Sequence, residues 1–128
     1  MPVRSLHSSV LRWPDAGAVE RALNEWISRQ AAQRPELLRL GVFGSFARRT
    51  DWGVGSDLDL VAVVAESDRP FAERARDWDL TSLPVPAELL VYTEDEWQRL
   101  MAQGGRFADT MASEGVWLFE REGAGRAR

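Results

Sequence analysis

Val19, Leu23, Trp26 and Ile27, with Gln30 and Ala31 behind them, recur at helical spacing, so residues 16–33 are expected to form an amphipathic helix. Asp15 stands at its N-cap position and Pro35 marks its end. Ahead of it, residues 1–9 carry no pattern, and Val10 to Trp13 read as a short strand stopped by Pro14. The period then changes. Leu37 to Phe43 reads as a buried strand that ends at Gly44–Ser45, and Phe46 to Arg49 can begin a short helix after that turn. Gly53 and Gly55 mark a loop over residues 51–56, and the Val-rich run Leu58 to Ala65 is a second apolar strand, too short for a helix.

The second half repeats the alternation. A helix is expected from Asp68 and Pro70 to about Asp77, then two prolines at 84 and 86 lead in extended form to a third strand, Ala87 to Tyr92. Thr93 and Glu96 make a capping box for a helix to about Gln103. Gly104–Gly105 breaks it, Phe107 to Glu114 gives one more helical segment, and Val116 to Phe119 a last strand. The order predicts an α/β (α+β) fold, a small mixed sheet of three to five strands flanked by helices. One domain over residues 1–120 and a polar, disordered tail over 121–128 are expected.

Composition narrows the class. In 128 residues, a 45% hydrophobic content and six Trp are enough for a single globular core. No run reaches the length of a membrane span and no signal-peptide pattern opens the chain, so a cytoplasmic protein is expected. Without cysteine there is no disulfide and no thiolate metal site. A net charge of −4 argues against a protein that coats duplex DNA. All sixteen basic residues are Arg, so phosphate or metal must be met by guanidinium groups, backbone amides and carboxylates.

The chemistry is concentrated between residues 44 and 59. Gly44–Ser45 lies where a strand ends and a short helix can begin, which presents free backbone N–H groups to a phosphate. Taken alone, it is better read as an ordinary strand-to-helix turn. Asp57 and Asp59, two apart at a strand start, point to one face with about 6.6 Å between them. Carboxylates at that spacing can bracket two Mg2+ ions about 3.5–4 Å apart, whereas a strand cap and a solvent-facing acid are the plain alternative. Together, a phosphate turn and a carboxylate pair a dozen residues later form a nucleotide–metal arrangement.

That combination, LGVFGSFARRTDWGVGSDLDLVAVV over residues 40–64, resembles the minimal nucleotidyltransferases of the DNA polymerase beta-like superfamily. Their pattern is a hydrophobic strand, Gly-Ser, a loop, then Asp-x-Asp opening the next strand. A third acid follows on a later strand, and PAELLVYT at residues 86–93 supplies Glu88. ASEGVWLFER is similar to the family's closing helix and strand, so the resemblance spans roughly residues 15–120. Two departures stand out: Arg49 where many members have Gly, and Glu88 where Asp is frequent.

The resemblance implies a metal-dependent enzyme that moves a nucleoside monophosphate from an NTP, here ATP, to a hydroxyl. It implies Asp57, Asp59 and Glu88 as catalytic and metal-binding residues for two Mg2+ ions, and Gly44, Ser45, Arg48 and Ser56 as nucleotide-binding residues. Stand-alone domains of this kind resemble the antitoxins of HEPN–MNT pairs, which modify a tyrosine of a helical HEPN-type partner. A homo-oligomer, a non-catalytic partner-binding antitoxin and an enzyme acting on an antibiotic-type small molecule are the alternatives. Arg48 is also read as a solvated loop residue. Asp51 can assist the metals or be exposed, Trp52 can stack on a base or cover the core edge, and Tyr92 is a strand residue or a modifiable hydroxyl. His7 is assigned nothing. Asp79, Glu94 and Asp95 are the rivals of Glu88 for the third carboxylate, and alternation along 87–92 is what favours Glu88.

Overall fold

The structure, a computed structural model, describes residues 13–48 and 52–122. Helix α1 (Ala16–Gln33) is capped by Asp15, whose carboxylate accepts the N–H of Ala18 at 2.8 Å. Then come β1 (Leu37–Phe43), the four-residue α2 (Ser45–Arg48), β2 (Leu58–Val64), the short α3 (Phe71–Arg74) and a 3-10 turn (Ala75–Asp77). Strand β3 (Ala87–Thr93), helices α4 (Glu94–Gln103) and α5 (Arg106–Glu114) and strand β4 (Val116–Glu120) complete it. The strand expected at 10–13 falls largely on residues outside those described, as do His7, Arg49 and Asp51.

The strands form one mixed sheet in the order β3-β2-β1-β4, with β1 antiparallel to β2 and β4, and β3 parallel to β2. This is the α/β class that the periodicities predict, with four strands. Alternation divides the core between the two faces of the sheet. Leu58, Leu60, Ala62 and Val64 of β2 and Leu89 and Val91 of β3 join Val19, Leu23, Trp26 and Ile27 of α1. On the other face Val61 and Val63 pack on Trp97 of α4 and Met111 of α5, with Phe43, Tyr92, Phe107 and Trp117 around them. A Cβ on Gly41 would lie 2.8 Å from the Trp117 ring, so glycine is what lets that indole lie across β1.

Two expectations are corrected. The helix foreseen from 70 to 77 breaks after Arg74, because this guanidinium turns inward. It is 7% exposed and donates to the carbonyls of Arg69 and Val91 and to both oxygens of Glu96. The tail does not begin at 121 either. Arg121 adds a backbone bond to Leu38 beyond the last strand, and its guanidinium donates to the carbonyls of Ala31, Arg34 and Leu37. Those oxygens close α1 and open β1, a connection that Arg121 stitches from the far end of the chain.

The helical cover on the α4–α5 face stops short of one end of the sheet. Along β2, Val63 and Val61 are fully buried, Asp59 is half-buried and Asp57, just before the strand, is exposed. Since β2 and β3 are parallel, both begin at this uncovered end. No helix among the described residues is long and apolar enough to cross a membrane.

Candidate functional site

Asp59 is the centre of this end. It pairs with Phe43 on β1 and with Glu88 on β3, so Glu88 lies beside it in register on the same face. The alternation expected in β3 holds: Leu89 and Val91 are buried against α1, whereas Glu88 and Tyr92 belong to the other face and Glu88 is exposed. Three like charges therefore meet where β2 begins. The Asp59 carboxyl is pushed above the ordinary carboxylate range, first by burial, then by Asp57 and by Glu88. Arg48 pulls it the other way and Glu114, a further acid, adds to the crowding.

Gly44 ends β1 with φ +79°, a left-handed conformation that disfavours any side chain. A Cβ there would collide with the Asp59 carboxylate. The expectation was that Gly44 makes room for a phosphate. The room it makes is already shared with Asp59, so the turn and the acid are one packed unit. Ser45 opens α2 and Arg48 closes it, with the Arg48 N–H bonded to the Gly44 carbonyl at 3.1 Å. The Arg48 Nη1 donates to both Glu114 oxygens, at 3.0 and 3.2 Å. Ser56 folds the preceding loop: its Oγ accepts the N–H of Gly53 and its own N–H reaches the Gly53 carbonyl, both at 3.0 Å.

The rivals of Glu88 are occupied elsewhere. The Asp79 carboxylate accepts the backbone N–H and the hydroxyl of Thr81, which lower its pKa. Glu94 accepts from Arg39 and Gln98, and Asp95 is exposed in the first turn of α4. Trp52 covers the core edge: its indole N–H donates to the Pro14 carbonyl and its ring meets Phe46 edge-on at 5.5 Å. Tyr92 is a strand residue among Phe71, Trp97 and Phe107, with its hydroxyl pKa raised by burial and then by Glu96. Glu114 was not legible as a site residue. It arrives only because α5 and β4 return alongside β1, and no local spacing announces that.

The donor set suits a hard divalent cation, being carboxylate oxygen alone at a place where Arg48 offsets the crowded negative charge only in part. Among the described residues no three acids have yet converged into a formed metal cluster. Asp57 and Glu88 are exposed, so packing does not lock them away from Asp59.

This architecture is the nucleotidyltransferase fold. The chain is similar to a Sulfolobus solfataricus protein provisionally named a nucleotidyltransferase, with a TM-score of 0.60 and 20% identity over 85% of this chain and 86% of that one. It is also similar to a chain of the toxin–antitoxin MntA–HpeT, in a tyrosine-to-alanine mutant, with a TM-score of 0.50 and 17% identity over 77% of this chain and 72% of that one. No protein-family profile and no curated protein matches the sequence.

Proposed function

We propose that the chain is a Mg2+-dependent nucleotidyltransferase that moves AMP from ATP to a hydroxyl, a tyrosine of a helical HEPN-type toxin, and so acts as an antitoxin. The observation that carries the catalytic part is the half-buried Asp59, wedged against Gly44 and flanked by Asp57 and Glu88. Holding a half-buried carboxylate beside two further acids is costly unless cationic charge receives them, and the net upward push on Asp59 persists with Arg48 nearby. Asp57, Asp59 and Glu88 would hold the Mg2+ ions. When bound, magnesium lowers the pKa of the acceptor hydroxyl and offsets the charge of departing pyrophosphate.

The remaining work belongs to the chain itself. Gly44 and Ser45 offer backbone N–H groups and a hydroxyl to the triphosphate, Arg48 offers a guanidinium, and Ser56 shapes the loop that leads to Asp57. Glu88, on the neighbouring strand, stands on the side of Asp59 away from β1 and would serve the metal on the acceptor side. These residues position and neutralise, and the transfer needs no covalent intermediate on the protein. The likeness to a toxin–antitoxin chain supports a protein acceptor.

Co-expression with the product of the adjacent gene, followed by mass spectrometry, tests this. An AMP mass on a tyrosine of that product, absent with Asp59→Asn, is expected. Labelling of a small molecule alone would replace the protein acceptor, and no labelled product of any kind would refute the activity.

A further inference from the structure

Glu114 occupies an unfavourable place. It closes α5, at the end where unpaired carbonyls carry the negative pole of the helix. It also adds negative charge to a neighbourhood already crowded around Asp59. What holds it there is Arg48, whose Nη1 bonds both carboxylate oxygens across 66 residues of sequence. Among the described residues Arg48 is also the cation whose charge acts on Asp59, so one guanidinium serves both Asp59 and Glu114.

We infer that Glu114 is a positioning residue that stands in for phosphate: it holds Arg48 at the site until an incoming triphosphate takes the guanidinium from it. The inference rests on the nucleotidyltransferase reading above. The Arg48 and Glu114 side chains are 41% and 24% exposed, and a pair that water reaches holds weakly. A triphosphate offers several anionic oxygens to the same planar donors and is the stronger partner. Release of Glu114 at the moment of binding then ties nucleotide arrival to the α5–β4 end of the molecule.

The test is a calorimetric titration of the full chain with inorganic tripolyphosphate and with a non-hydrolysable ATP analogue. Wild type, Glu114→Gln, Arg48→Gln and the double variant are compared, each checked for an unchanged melting curve. Glu114→Gln should bind both probes several-fold more tightly, because no carboxylate competes for Arg48. Arg48→Gln should bind about tenfold more weakly, as expected for one lost charge-assisted contact. In the Arg48→Gln background the gain from Glu114→Gln should vanish. A gain that persists there would be a general charge effect and would overturn the inference, as would weaker binding by Glu114→Gln. If wild type binds both probes and no variant differs, the inference falls and the nucleotidyltransferase reading stands. If wild type binds neither probe, both fall together.

Discussion

The parallel strands β2 and β3 carry acidic groups at both ends, and the two ends are opposite in kind. Beyond the C-terminal end of β3, Glu96 takes two bonds from Arg74, at 2.6 and 3.0 Å, and a third from the Thr93 N–H. Its pKa falls to about 2, chiefly through the hydrogen bonds from Arg74. At the N-terminal end, Asp59 meets Asp57 and Glu88, and its pKa is raised. One end has closed its charges within the fold. The other leaves them facing each other and solvent, as a site does when its partner comes from outside. A small cleft lined by Arg34, Glu36, Glu66, Arg74 and Trp78 lies at the closed end. Its two Arg side chains are already engaged with carbonyls and acids, so shape alone points away from the chemistry.

If this contrast is right, conservative changes at the two ends should separate activity from stability. The largest effect belongs to Asp59→Asn, which should lower Mg2+-dependent pyrophosphate release on the order of 10³-fold or more. The same variant should melt no lower than wild type without metal, since like-charge repulsion is relieved. A colorimetric pyrophosphate assay and a thermal scan read the two halves. Transfer undiminished by Asp59→Asn would erase the distinction between the ends.

Arg74→Met should reverse the pattern. It leaves Glu96 without its partner and should cost about 3 kcal/mol in urea denaturation, near the lower end for a broken buried pair because Glu96 keeps some water. The intact pair also predicts an acid limb. Because the Glu96 pKa falls from 4.5 to about 2 on folding, its contribution is fully present above about pH 4.5 and is lost as pH falls toward 2. Glu96→Gln should flatten that limb of the stability–pH curve. An unchanged curve would mean that the pair is not what stabilises this end.

Gly44→Ala should cost less in folding than Arg74→Met, about 1–2 kcal/mol for placing a side chain at positive φ. It should nonetheless weaken nucleotide binding, because the new Cβ displaces the Asp59 carboxylate. A loss of stability with full nucleotide affinity would separate the turn from the acid.

Much of this contrast was legible from local patterns. Alternation set Asp57 with Asp59 and Glu88 with Tyr92, each within its own strand, and the Thr93–Glu96 capping box marked the start of α4 to the residue. The register that brings Glu88 beside Asp59 came from the structure. Helical spacing likewise gave α1 from Ala16 to Gln33. What escaped depends on strands meeting across long stretches of chain. Arg74 reaches Glu96 over 22 residues and Arg48 reaches Glu114 over 66, and neither spacing has a period that sequence could display. Arg74 also shows how such a contact overrides local preference, since its inward turn shortens the helix that the pattern predicts. The sequence offers phosphate approach as the reason for Gly44, whereas the structure shows another use of that glycine, the space for Asp59.

In the proposed function the open end is completed by a divalent cation and a nucleotide. Thermal melting of wild type and Asp59→Asn, each with and without Mg2+ and a non-hydrolysable ATP analogue, measures it directly. The two ligands together should raise the wild-type midpoint by several degrees and leave the Asp59→Asn midpoint where it was. Equal shifts in both proteins, or none in wild type, would contradict the proposed function.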